Sequence, residues 1–471
     1  MPLALIPPAL VASFFVANSP AAMHPTPSAA SIADGLAQKI RDGQLSAGEK
    51  LPAHRVQAQR LGVGVATVSR AYARLEQMGL ATARVGDGTY VRALGQDAAP
   101  PAPGALPIDL AHNVAIPTDE VEALRQALAE ISQDPACMAR VLAYQPETGA
   151  PHHRQAGADW LRRFGTTGDA NRVMVTHGAQ HGLAGVLRTL AKPGDTLLTE
   201  SLSYPGLLAL ARSLRLQVIG LEMDGEGLLP EALDQAAHRF QAKLLFCSPT
   251  LHNPTARTMP LARREALAAV IRRRGLWLVE DVVHAAVLAQ PPPAVSSLVP
   301  EQSFLLASLS KVMAPGLRVG YLEAAPEWLD KVAASIRADC WMVAPLMPEI
   351  ASRWMASGEA ERLITLQRQH IDERLALAHT CLAGYDYAWS AHHPHLWFPL
   401  PEPWHASPFA AALRQAGVLV RTAEQFAAGR SRAPHAVRIS LNTATSSAQL
   451  EMGLRTLVQV LQSSPASDMA P

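Results

Sequence analysis

The sequence predicts an α/β protein in two parts: a short helical module closed by a hairpin, and a long domain in which strands and helices alternate. Three observations lead there. Residues 31–92 carry three amphipathic helical patterns and then two short β segments around glycines. Residues 94–107 are rich in Pro and Ala. From about 108 to 462, short apolar runs alternate with amphipathic stretches, the pattern of a mainly parallel sheet covered by helices. A length of 471 residues accommodates roughly three compact units.

The first residues are expected to stand apart from the fold. Residues 3–17 are apolar, but no Lys or Arg precedes them and Pro7 and Pro8 interrupt them. A signal peptide needs the former and a membrane span needs more length. Residues 1–28 therefore read as a disordered tail or as a misplaced start, with Met23 the alternative beginning.

Ile32, Leu36 and Ile40 fall on one face of a first helix. A second runs from Arg55 to Leu61 and stops at Gly62; a third runs from Thr67 to Met78 and stops at Gly79. Two β segments meeting at Gly86-Asp-Gly88 make a hairpin. Three helices and a hairpin over 29–93 form a winged helix-turn-helix. The segment 31–92 holds nine basic and five acidic residues, an excess of four, while the whole chain has a net charge of only +1. A nucleic-acid surface, if present, is local to this module.

Residues 94–107 read as a semi-extended linker. In the domain that follows, strands are expected at 172–176, 196–200, 217–221, 243–248, 276–280, 303–307 and 319–323. Beyond Pro326 a long helical segment is expected over 328–378, with further strands near Trp397 and Val437. That makes a smaller C-terminal α/β subdomain over 329–462, followed by a tail at 463–471. Four cysteines without a CxxC pair give no disulfide framework and favour a reducing compartment. With no membrane segment, the cytoplasm is the expected location.

Lysine is scarce: the chain has six. One, Lys311, sits in Ser308-Leu-Ser310-Lys311-Val-Met-Ala-Pro-Gly316-Leu-Arg318. Small hydroxyls, an amine, a Pro-Gly turn and an arginine make a phosphate cradle beside a group that condenses with aldehydes. Arg318 suits a phosphate through two parallel bonds.

This segment resembles the cofactor-lysine motif of fold type I pyridoxal-phosphate (PLP) enzymes, the aspartate aminotransferase class. Other motifs agree in order over roughly 108–462. The resemblance implies that Lys311 is the catalytic lysine and that Gly178, Ala179 and Gln180 open a helix against the PLP phosphate, with Ser308, Ser310 and Arg318. It implies that Tyr204 stacks on the pyridine ring and Asn253 donates to its O3′. Asp281 would face the ring nitrogen. Arg438 would clamp a substrate α-carboxylate, and Tyr144 would reach the phosphate of a neighbouring subunit in a homodimer.

Two positions depart from that pattern. His284 stands where relatives usually place a tyrosine on O3′, which would couple that contact to pH. Ala256 replaces the usual glycine after Asn253-Pro-Thr, so a negative φ is expected there.

Residues 31–92 resemble GntR-type winged helices, through Leu45-Ser-Ala-Gly-Glu-Lys-Leu-Pro52, Thr67-Val-Ser-Arg70-Ala-Tyr72 and Gly86-Asp-Gly88-Thr-Tyr-Val. The resemblance implies contacts to double-stranded DNA from Arg55, Thr67 and Arg70, with Gly86 and Gly88 at a wing tip in the minor groove. A GntR-type module followed by an aminotransferase-like domain is the layout of MocR-type regulators. It implies a PLP-binding transcription regulator that senses an amino-acid or amine effector. An active aminotransferase carrying a DNA-binding domain is the alternative.

Two histidine clusters invite other readings. His177 and His181 lie four apart, but no Glu completes a zinc motif and His177 falls in the phosphate loop. His392-His393-Pro-His395 reads as a solvent-facing loop without a role. No metal is expected.

Overall fold

The computed structural model describes residues 27–91, apart from 43, 47, 79 and 85–87, and residues 107–463. The expected N-terminal tail up to residue 26, most of the linker, Gly79, Gly86 and the residues after 463 lie outside the described residues. The chain divides into two units, Met1–Gly95 and Gln96–Pro471.

In the first unit, helix α1 (Ala29–Arg41) starts at Ser28, whose hydroxyl accepts from Ser31 N–H at 3.1 Å. It buries Ile32, Leu36 and Ile40, the face that the spacing predicts. Helix α2 (His54–Leu61) ends at Gly62 in the left-handed conformation that glycine tolerates. Helix α3 (Val65–Gln77) buries Val68, Ala71, Tyr72 and Leu75 against α1. Tyr72 donates its hydroxyl proton to Pro52 O at 2.8 Å, which ties α3 to the turn before α2. Strands β1 (Ala81–Arg84) and β2 (Gly88–Val91) pair antiparallel and form the wing.

The second unit is built on a seven-stranded sheet: β3 (Val173–Thr176), β4 (Thr196–Glu200), β5 (Gln217–Leu221), β6 (Leu244–Cys247), β7 (Trp277–Asp281), β8 (Ser303–Ser308) and β9 (Gly320–Glu323). Their order is β3-β9-β8-β7-β6-β4-β5. Only β9 runs antiparallel to its neighbours. Apolar side chains on both faces, as in the wholly buried Ser303–Ser308, explain the continuous apolar runs in the sequence. Helix α4 (Ala179–Leu190) follows β3 directly and packs on this sheet.

The expected single helical segment over 328–378 is instead three helices: α5 (Pro326–Cys340), α6 (Leu346–Ser357) and α7 (Glu359–Cys381). Trp341 at φ 68° ends the first, and Pro345 cannot lie inside a helix. Gly358 at φ 82° separates the other two. The smaller subdomain carries a sheet of β10 (His395–Pro399), β11 (Arg421–Thr422) and β12 (Ala436–Ser440), in the order β10-β12-β11. The two-residue β11 is too short to leave a periodic signal. Among the described residues, no helix is long and apolar enough to cross a membrane.

Candidate cofactor and ligand site

A cavity of about 430 Å³ opens at the carboxyl ends of the parallel strands, the usual crevice for ligands in such sheets. Four strand ends deliver residues to it. Ala179 and Gln180 follow β3, Ser248 follows β6, Asp281 ends β7, and Ser308 ends β8 with Ser310 and Lys311 just beyond.

One end of the cavity is an anion cradle. Gly178 caps α4 at φ 76°, and a Cβ on it would come within 3.0 Å of the Arg318 guanidinium. A Cβ on Gly320 would come within 2.7 Å of Gly178 backbone atoms. Two glycines thus let β9 and the turn after β3 press together, with the positive end of α4 beside Arg318. Arg318 reaches Ser310 Oγ at 3.3 Å and His177 O at 3.4 Å, both long bonds, and Ser308 and Ser310 hydroxyls lie 3.1 Å apart. The buried Gln180 Oε1 has no hydrogen-bond partner among the described residues, although its Nε2 donates to Gly206 O.

Beside the cradle, Lys311 donates from Nζ to Asn113 O. Burial, with help from Arg438, pulls its ammonium down to about 8. Burial pushes the Asp281 carboxyl up to about 6, and its Oδ1 accepts from Val283 N–H at 2.8 Å. Tyr204 forms part of the wall, its ring folded over Gly206 where a Cβ would come within 2.3 Å. Burial and then the Asp281 charge raise its phenol. Across the cavity, Arg438 donates from Nη1 to Asn253 Oδ1 at 2.8 Å and from Nη2 to Ala111 O. Burial and the neighbouring Arg421 bring its guanidinium down to about 9.

Two readings are corrected here. Ala256 adopts φ 60°, not a negative value. Its N–H bonds to His252 O at 2.7 Å and its carbonyl accepts from Ser390, so the fully buried turn holds the left-handed conformation against a cost of about 1–2 kcal/mol. The cluster at 392–395 is not solvent-facing: His393 and His395 are fully buried. Their Nε2 atoms lie 3.0 Å apart, and both rings stand edge-on to His284, at 5.3 and 5.9 Å between centroids. Strand β10 turns inward at His395, which no periodicity in a histidine-rich stretch announces. Burial depresses His284 to about 3 and holds the other two well below the ordinary histidine range.

Lys311, Tyr204, Asn253, Asp281, His284, Ser308, Ser310, Arg318, Arg438, Ala179 and Gln180 all line the one cavity, and Gly178 caps the helix at its edge. Tyr144 does not: it is 83% exposed and lies near Trp341. Sequence reasoning missed Asn113, His112 and Arg421, which also line the cavity. They follow or belong to two-residue strands and sit in no motif. Away from the cavity, His152, His153 and Glu349 bring three metal-capable atoms within 4.8 Å of one another. Both imidazoles hydrogen-bond to Glu349 Oε2, at 2.8 and 3.1 Å, and Arg353 pairs with Oε1.

In the first unit, Arg55 is exposed on α2. Thr67 and the exposed Arg70 sit three apart on α3, hence on one face of its first turns. Gly88 begins β2 at φ 131°; Gly86 lies outside the described residues.

Residues 107–457 match the family described as aminotransferase class I and II, and residues 28–91 match bacterial regulatory proteins of the gntR family. The chain belongs to the aminotransferase class I and II family. It also carries a gntR-family helix-turn-helix domain, the combination found in MocR-type regulators. It is 29% identical over 432 residues to the HTH-type transcriptional regulator YdeF of Bacillus subtilis, covering 91% of this chain and 93% of that one. It is 27% identical over 416 residues to the vitamin B6 salvage pathway transcriptional repressor PtsJ of Salmonella typhimurium, covering 88% and 94%. The fold matches an archaeal alanine:glyoxylate aminotransferase with a TM-score of 0.69 at 22% identity, over 76% of this chain and 91% of that one.

The family's cofactor is pyridoxal phosphate, and the cavity fits it on its own chemistry. A glycine-cleared helix end and an under-used arginine fork await an anion. A half-buried amine and a half-buried carboxylate line the same cavity.

Proposed function

We propose that this chain is a DNA-binding transcription regulator that holds pyridoxal phosphate on Lys311 and senses an amino acid or amine in the same cavity. The observation that carries this reading is a single chain with both a gntR-family domain and a cavity whose wall holds both the half-buried amine of Lys311 and the half-buried carboxylate of Asp281. The bound cofactor supplies an aldehyde for amines and a ring that withdraws electrons.

The chain's own residues do the rest. The desolvated Lys311 has its ammonium brought to about 8, so a useful fraction is the free amine that carbonyl chemistry needs. Arg318, Ser308, Ser310 and the α4 end bind the phosphate. Asp281 would keep a proton on the ring nitrogen, and a cation there would in turn keep Asp281 ionised. Asn253 and His284 would face the ring edge, and Tyr204 would cover a ring face. Arg438 takes the effector's carboxylate. Tyr144, exposed in one chain, is assigned to the phosphate site of a partner subunit, so the working form is a homodimer in the cytoplasm.

Arg55, Thr67, Arg70 and the Gly86–Gly88 wing are assigned to DNA, with arginines suited to phosphates and guanine edges. The effector changes DNA affinity by the difference in its own affinity for the two states of the dimer. The alternative, a working aminotransferase, has one observation in its favour: Lys311, Asp281, Asn253 and Arg438 share one cavity. Single-turnover incubation of the loaded protein with amino acids separates them. Conversion to pyridoxamine phosphate supports the enzyme, and reversible spectral change without conversion supports the sensor.

A further inference from the structure

The cavity carries more positive charge than the assigned roles use. Its wall has four cationic side chains, Lys311, Arg318, Arg421 and Arg438, and one carboxylate, Asp281. Lys311, Asp281 and Arg318 belong to the cofactor end, and Arg438 to the effector's carboxylate. Arg421 is left over.

Its placement is specific. Arg421 on β11 is the direct cross-strand partner of Arg438 on β12. Opposed residues on an antiparallel pair project from the same face with Cβ atoms about 4.5–5.5 Å apart, and like charges so placed repel. Arg438 is buried, and its Nε has no partner among the described residues. Arg421 finds only neutral acceptors: Gln425 Oε1 at 2.9 Å and His112 Nε2 at 3.1 Å. Among the described residues no carboxylate pairs with it.

Its orientation is nonetheless controlled. Asp109 Oδ2 accepts a hydrogen bond from His112 Nδ1–H at 2.7 Å, which leaves Nε2 as the acceptor for Arg421. Asp109 and His112 are thus positioning residues for a guanidinium that lines the cavity without an anionic partner.

We infer that Arg421 is a second anion-recognition residue, and that the effector is an amino acid with an acidic side chain. Arg438 binds its α-carboxylate and Arg421 its second carboxylate. This rests on the sensor reading above and narrows it to dicarboxylic amino acids.

The test is calorimetric titration of the cofactor-loaded full chain with L-alanine, L-aspartate and L-glutamate, on wild type, Arg421→Gln and Arg421→Lys. At least one diacid should bind on the order of tenfold or more tighter than alanine, the scale of a charge-assisted hydrogen bond. Arg421→Gln should erase that preference and leave alanine binding in place, and Arg421→Lys should retain part of it. Equal binding of all three by wild type overturns the inference and leaves the sensor intact. So does a uniform loss across all three in Arg421→Gln, because both arginines would then grip one carboxylate. Binding of none overturns the sensor reading together with this one. If thermal unfolding shows Arg421→Gln misfolded, the wild-type ratio and the Arg421→Lys ratio decide.

Discussion

His284 stands edge-on to His393, with ring centroids 5.3 Å apart, the half-buried His284 on the cavity wall and His393 fully buried beside it. His395 and His252 complete the group, and burial lowers all four. His252 is brought to about 4 and His284 to about 3.

These histidines make folding pH-dependent. In the unfolded chain each takes a proton near pH 6.5, while in the folded state each stays neutral to far lower pH. Above 6.5 they cost nothing. As pH falls below 6.5 the unfolded state binds more protons, so stability drops by up to about 1.4 kcal/mol per pH unit per histidine. Denaturant unfolding between pH 7.5 and 5 should show that loss. His393→Gln together with His395→Gln should flatten the slope, and an unchanged slope in the double variant would count against a neutral buried cluster.

Gly320→Ala places a methyl 2.7 Å from Gly178 backbone. Backbone cannot swing aside as a side chain does, so the turn that caps α4 must move. Overpacking of this kind costs about 1–3 kcal/mol. The variant should melt lower and hold pyridoxal phosphate more weakly, as measured by equilibrium dialysis. Unchanged cofactor affinity would detach this turn from the phosphate.

Ala256→Gly should stabilise the protein slightly. Relief of the φ 60° conformation returns about 1–2 kcal/mol, and the added freedom of the unfolded chain takes back about 0.5–1. A fall in melting temperature would mean that the Ala256 methyl, which is fully buried, contributes more by packing than the turn costs.

Legibility in the sequence followed the size of the local signal. The seven large-sheet strands were readable to within a residue or two because both faces are apolar, as in Ser303–Ser308. The cavity's motif residues, from Gly178 to Lys311, were legible through the resemblance to the aminotransferase class, whose motifs these short segments match. The two-residue β11 was not, and Arg421 went with it. The breaks at Trp341 and Gly358 vanish in a stretch whose helical pattern runs on across them. His393 looked like a loop residue because burial of a polar cluster depends on what packs around it, here His284 from a strand end more than a hundred residues away.

Arg70→Ala and Arg55→Ala remove exposed charges from the gntR-family domain. Each arginine that neutralises a DNA phosphate should lower the salt slope of DNA binding by about 0.9 when it is replaced. Melting temperature and cofactor content should stay at wild-type values. A salt slope unaltered in both variants would place the DNA surface elsewhere.

The central claim is that Lys311 connects an amino effector to DNA affinity, and fluorescence anisotropy of a labelled operator fragment measures it directly. With pyridoxal phosphate bound, a recognised amino acid should shift the wild-type Kd for DNA by about 5- to 150-fold. Lys311→Ala should bind the same DNA with no response to the amino acid. An equal response in wild type and Lys311→Ala would contradict the account.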